Sequence, residues 1–234
     1  MPEATIVTIS AGLSEPSSTR MLADRLAQKT LDQLGAQEIS ATASTIELRS
    51  LASEIVQAAL TGVPGAKLQE AIDRLAAADA VIAAAPVYKA GISGLFKLFI
   101  DVLDDDLLIA KPVALAATAG SARHALVPDE QMRPLFAFLR ALVTPTSLFA
   151  APEDWADHSL STRIDRAATE LAALIGSGVT GSIVRGAWRG YQHRFGGNAR
   201  PQEVDPALGG VDFDSDLMRL AAGGAAHPSG ALGD

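Results

Sequence analysis

Short apolar runs of small and β-branched residues recur along the first 176 residues. They are ATIVTIS at 4–10, STIEL at 44–48, AVIAAA at 80–85, PVALAAT at 112–118 and TSLFA at 146–150. Their length and composition predict strands. AVIAAA is apolar on both faces, as a central parallel strand covered on both sides must be. Between the runs, apolar residues fall three or four apart, the period of an amphipathic helix. Leu22, Ala23, Leu26 and Leu34 place one helix over about 19–34. Leu95, Phe96, Leu98, Phe99, Val102 and Leu103 place another over 93–103. Met132, Leu135, Phe136 and Leu139 mark a helix over 129–140, and Leu160, Ile164, Leu171 and Leu174 mark one over 160–175. Residues 50–61 and 65–77 read as two helical pieces broken by TGVPG.

Strand–helix alternation repeated five times predicts an α/β domain with helices on both faces of a parallel sheet. Five strands fit a flavodoxin-like three-layer sandwich of order 2-1-3-4-5. Ligands in such sheets bind beyond the carboxyl ends of the strands, where the strand order reverses. The turns after the first, third and fourth strands are therefore the places to look for chemistry.

Composition narrows the function classes. The net charge is −8, which argues against nucleic acid and anionic membranes as partners. There is no cysteine, hence no disulfide framework, thiolate chemistry or iron–sulfur cluster. No apolar run has the length to span a bilayer. The start MPEATIVTIS enters a strand without the pattern of a secretory signal, so a cytoplasmic protein is expected.

The first turn, SAGLSEPSSTR at 10–20, carries Ser10, Ser14, Ser17, Ser18 and Thr19 into a helix N-terminus, with Arg20 following. Free N–H groups and the helix dipole favour an anion there. The turn is neither a Walker A loop nor G-x-G-x-x-G. Neutral hydroxyl donors suit a phosphate monoester that is held and not transferred; plain N-capping by the same cluster is the alternative. In the second turn, Pro86 is expected to end the strand. Tyr88 and Lys89 can reach beside a flat ring, Gly91 and Gly94 make room for one, and Ser93 can cap the next helix. Lys97 and Asp101, four apart, can pair on that helix. In the third turn, TAGSARHAL at 118–126, Thr118, Gly120 and Ser121 can offer donors to ligand carbonyls, with Arg123 and His124 at the rim. A hydrogen-bonded structural role is the alternative for His124.

Together the turns describe one ligand, with a phosphate at the first turn and a flat polar heterocycle between the second and third. FMN fits that description. The segments GLSEPSST, PVYKAGISGLFKLFID and ATAGSARHAL resemble the NAD(P)H-dependent FMN reductase family, over about residues 4–176. Within it they resemble the reductase components of two-component flavin monooxygenases, such as the alkanesulfonate and luciferase-like systems. The resemblance implies that Ser10, Ser17, Ser18 and Thr19 hold the FMN phosphate, with Arg20 nearby. It implies that Pro86, Val87, Tyr88, Lys89 and Gly91 line the isoalloxazine and ribityl, and that Thr118, Gly120, Ser121 and His124 close the pyrimidine side. It further implies a homodimer or homotetramer packed through the helix of Lys97 and Asp101, and a monooxygenase that takes the reduced flavin. Two-component members often carry Tyr or His after the Gly/Ala of the second turn, in a π-bulge; this chain has Ile92.

The chemistry expected is hydride transfer from NAD(P)H to FMN, which the cofactor itself performs. No residue is assigned as a catalytic acid or base. An FMN-containing quinone, azo or metal-oxyanion reductase is the alternative within the class, and a flavodoxin-like electron carrier the alternative outside it.

Residues 177–234 read as a separate Gly-rich extension, either flexible or packed on a neighbouring subunit. The stretch 176–234 holds 13 of the 20 glycines. Residues 185–200 hold four arginines and no acid, whereas 201–234 hold six acids and one arginine, Arg219. Trp188, Tyr191 and Phe195 are candidate anchors, and 213–224 a candidate helix.

Overall fold

The computed structural model describes residues 3–188. Four long strands form the body of one sheet: β1 (Ala4–Ser10), β2 (Ala41–Glu47), β3 (Ala80–Tyr88) and β5 (Pro112–Thr118). Three short ones complete it: β4 (Gly91–Ile92), β6 (Leu142–Val143) and β7 (Leu148–Ala150). The order is β2-β1-β3-β5-β6, all parallel, with β4 antiparallel to β3 and β7 parallel to β5.

The expected parallel α/β sheet of flavodoxin-like type is present, but with seven strands where five were expected. Two local events account for the difference. β6 and β7 both pair with β5, at Val113↔Val143 and again at Ala116↔Leu148. Two residues of β5 thus face four, Thr144–Ser147, including Pro145, so the fifth strand bulges and splits. β4 arises because β3 does not stop at Pro86. Ala84 and Pro86 point their backbone groups the same way, toward β1. The Ala84 carbonyl accepts from Ala11 N at 3.0 Å, but β1 has ended by the level of Pro86. The missing proline N–H therefore costs no ladder bond, and the Pro86 carbonyl accepts from Ser93 N at 3.0 Å.

Side chains alternate across the central strands, so each face of the sheet feeds its own core. Ile6, Ala80, Ile82, Ala84, Ala114 and Ala116 pack under α1 (Ser18–Ala36) and α6 (His158–Gly176). Val7, Ile9, Val81, Ala83, Val113 and Leu115 face α2 (Leu48–Thr61), α3 (Ala66–Ala77), α4 (Gly94–Asp101) and α5 (Arg133–Phe138). β2 is the edge strand and is largely exposed over Thr42–Ser44, which is why the apolar pattern shows only its second half.

The expected 129–140 helix is a π-helical turn, Pro128–Met132, running into α5. Ser93 caps α4 by accepting from Phe96 N at 3.2 Å, and Lys97 pairs with Asp101. Beyond 176, Gly178 turns the chain in left-handed backbone (φ 63°) into α7 (Val179–Ala187). Thr180 donates to the Ala110 carbonyl at 2.8 Å, and the Arg140 guanidinium lies 5.4 Å over the Trp188 ring. Tyr191, Phe195 and the candidate helix at 213–224 lie outside the described residues.

Candidate functional site

The carboxyl ends of β1, β3 and β5 lie side by side, with Ser10 opposite Ala84, and Pro86 opposite Thr118. Ser10 is buried, and its hydroxyl has no hydrogen-bond partner. A buried donor left unmet at the mouth of a sheet is costly, and a ligand atom arriving there would satisfy it.

The turn that follows is folded tightly. A Cβ on Gly12 would sit 1.9 Å from Ser17 Oγ, so a side chain there would displace Ser17 from its capping position. Ser17 is the N-cap of α1, and its Oγ accepts from Arg20 N at 3.2 Å. Ser18 opens the helix, whose first turn carries no acidic side chain to compete with an anion. Glu15, the acid in the turn, is held by Arg49 at 2.9 Å, and the same guanidinium donates to the Leu13 carbonyl at 3.3 Å. Arg49 thus ties the turn to the start of α2, a role with no signal in the local sequence.

Thr19 and Thr118 are both buried and share a hydrogen bond of 2.7 Å, which joins the first turn directly to the third. Whichever hydroxyl accepts keeps its own proton for a further partner. Arg20, expected to lend charge beside the turn, is instead engaged by Asp24, at 2.6 and 2.8 Å, and by Glu47. Burial works against its charge, but these two carboxylates outweigh that and hold the guanidinium above its ordinary pKa.

The second turn is a two-residue hairpin closed by Tyr88↔Gly91. Its central residues are Lys89 (φ 48°) and Ala90 (φ 68°), both left-handed and neither a glycine. A Cβ on Gly91 would meet Gln131 Oε1 at 3.0 Å, so the side chain of Gln131 lies over the glycine. Gln131 holds the turn and the second arm of the hairpin: its Oε1 accepts from Ile92 N at 3.0 Å, and its Nε2 donates to the Ala90 carbonyl at 3.2 Å. Tyr88 and Lys89 are exposed, and Val87 is half-buried.

In the third turn, Gly120, Ser121, Arg123 and His124 join Val87 around an open cavity of about 510 Å³. Arg123 Nε donates to His124 Nε2 at 3.4 Å. The structure thus gathers Val87, Gly120, Ser121 and His124 on one cavity and links Thr19 to Thr118. Ser10, Ser17 and Ser18 stand on the neighbouring turn. The arrangement places neutral hydroxyl and N–H donors at the end of the sheet, near an open cleft of mixed polar and apolar wall.

The chain matches the profile of the NADPH-dependent FMN reductases over residues 4–156. It is 36% identical over 176 residues to FMN reductase (NADPH) of Pseudomonas aeruginosa, an alignment covering 73% of this chain and 92% of that protein. It is 36% identical over 168 residues to the NADH-dependent FMN reductase SfnF of Pseudomonas fluorescens, covering 72% of this chain and 87% of the relative. Among solved structures it resembles an oxidoreductase from Corynebacterium diphtheriae, with 45% identity, a TM-score of 0.73, and 76% and 99% of the two chains covered. It also resembles the apo form of the NADH:FMN oxidoreductase EMOB, with 27% identity, a TM-score of 0.63, and 73% and 89% covered.

Proposed function

The chain belongs to the NADPH-dependent FMN reductase family, and from that premise we propose that it oxidises NAD(P)H with FMN and releases reduced flavin to a partner monooxygenase. The observation that carries the reading is the unmet, buried Ser10 hydroxyl beside the N-terminus of α1, joined through Thr19–Thr118 to the cavity at Val87. These residues fit FMN: one phosphate-sized anion site of neutral donors, and one cleft walled by backbone and small polar groups. FMN, when bound, supplies the hydride-accepting ring and passes the electrons on.

The protein's share is binding and orientation. Ser10, Ser17, Ser18 and the first N–H groups of α1 hold the phosphate. The hydroxyl left free in the Thr19–Thr118 pair donates toward the ribityl side. Pro86, Val87 and Tyr88 form one wall of the ring site, Lys89 stands at its outer tip, and Gly120, Ser121 and His124 form the other wall. The neutral donor set favours exchange over permanent retention, which is what a supplier of free reduced flavin requires.

Two coarser features accompany the reading. Val56, Leu60 and Val63 are exposed at 48%, 80% and 67% at the end of α2, beside α4, and a second copy of the chain would cover them. No single helix among the described residues is long and apolar enough to cross a membrane. The bent pair α6–α7 has the length, but α6 buries its apolar stripe on the sheet. A cytoplasmic homodimer or homotetramer is the form proposed.

Calorimetry with FMN and FAD tests the site. One FMN per chain and no tighter binding of FAD is the expected outcome, since only one phosphate-sized turn is present. Tighter binding of FAD would defeat it.

A further inference from the structure

A second cavity, of about 370 Å³, lies beside the first and is lined by Ala90, Leu126, Glu130 and Gln131 among others. The two share a wall, because Arg123 and His124 line both. We propose that this second cavity takes the adenosine half of the nicotinamide coenzyme, and that Glu130 selects the form without a 2′-phosphate, NADH. The inference rests on the reading above: a flavin ring held at the first cavity can take hydride only if the nicotinamide is brought against it there.

A dinucleotide that reaches from the first cavity into the second must lay its middle, the pyrophosphate, across the shared wall. The residue standing there is a cation. Arg123 is exposed and uses its Nε on His124, and it has no carboxylate partner among the described residues. Arg20, Arg49, Arg133, Arg140 and Arg163 are each held by an acid instead. The terminal nitrogens of Arg123 are thus placed for a diphosphate.

Beyond the wall the charge changes sign. Glu130 lines the second cavity, whereas its neighbour Asp129 is used by Arg133 and Ser147. A carboxylate accepts from a ribose 2′-hydroxyl and repels a phosphate in its place. With Arg123 spent on the pyrophosphate, no lysine or second arginine lines the cavity to offset the added charge of about −1.5 to −2 that a 2′-phosphate brings. Lys89 sits at the hairpin tip and does not line this cavity. The far wall is held in place before any nucleotide arrives, because Gln131 bonds the hairpin's turn at Ala90 and its second arm at Ile92.

ADP-ribose and its 2′-phosphorylated form carry the adenosine half without a reactive nicotinamide, so their binding is read apart from turnover. Both would be titrated calorimetrically into protein saturated with FMN, as wild type, Glu130→Gln and Arg123→Ala. ADP-ribose should bind at least tenfold tighter than the 2′-phosphorylated form. Glu130→Gln should shrink that ratio to about threefold or less, and Arg123→Ala should weaken both ligands about equally, by fivefold or more. Tighter binding of the phosphorylated form to wild type, a ratio unmoved by Glu130→Gln, or an Arg123→Ala loss confined to the phosphorylated form would overturn the assignment. Absence of nucleotide binding while FMN still binds would overturn it too, and leave the flavin site standing. Failure to bind FMN would remove the function reading itself.

Discussion

Ser10 carries opposite consequences for folding and for binding. In the folded chain its buried hydroxyl meets nothing, so Ser10→Ala removes a polar atom that contributes no bond. Thermal unfolding should show stability unchanged or slightly raised. Bound phosphate would lose a donor to a charged group, on the order of 1.5 kcal/mol, which is roughly tenfold in Kd. A fluorescence titration showing unaltered FMN affinity in this variant would mean that the hydroxyl is only an imperfectly filled core position. Asp157 makes a different point about single residues. It caps α6, and its backbone bond from Ser159 N, reinforced by the Ser159 side chain, holds its carboxyl below the ordinary pKa. A lowered folded pKa means that the carboxylate stabilises the fold fully above its unfolded pKa and loses that effect as pH falls through the folded value. Asp157→Ala should therefore be less stable than wild type at neutral pH. The gap measured by chemical unfolding should close in acid, and a gap constant with pH would contradict the cap.

At the scale of elements, the hairpin between β3 and β4 is the part least like its sequence. PVYKAGIS suggests a turn opened by Gly91, yet the left-handed positions are Lys89 and Ala90. Nothing local marks Gln131, some forty residues on, as the group that ties the hairpin together. Ala90→Gly should relieve left-handed strain of about 1–2 kcal/mol against an entropy cost of about 0.4–1 kcal/mol. A net gain of about 0.5–1 kcal/mol in unfolding free energy is expected, and a loss would show that the hairpin is not strained at Ala90. Elsewhere the elements were legible wherever burial is two-sided. AVIAAA and PVALAAT are apolar throughout because helices cover both their faces, and PVALAAT matches β5 residue for residue. Half of β2 was not legible, because an exposed edge leaves no apolar period at Thr42–Ser44. The split of the fifth strand was hidden for another reason: a bulge is a matter of register between strands, which one strand's pattern does not contain. The site divided along the same line. Ser10, Ser17, Thr118, Gly120 and His124 could be chosen because they follow strands, whereas Arg49, Glu47 and the Thr19–Thr118 bond depend on contacts distant in sequence.

For the whole molecule, the account is that the sheet brings three turns to one end to hold FMN loosely enough for it to leave. A donor set of hydroxyls and backbone N–H groups, with Arg20 occupied by Asp24 and Glu47, predicts micromolar affinity, about −8 kcal/mol. The protein should then be purified largely colourless. The most direct measurement is the rate of NADH and NADPH oxidation by dialysed protein as free FMN is added. The account predicts little oxidation without added flavin, and a rate that rises and saturates with FMN. A protein that stays yellow through dialysis, and oxidises NAD(P)H at a rate indifferent to added FMN but responsive to a quinone, would contradict it.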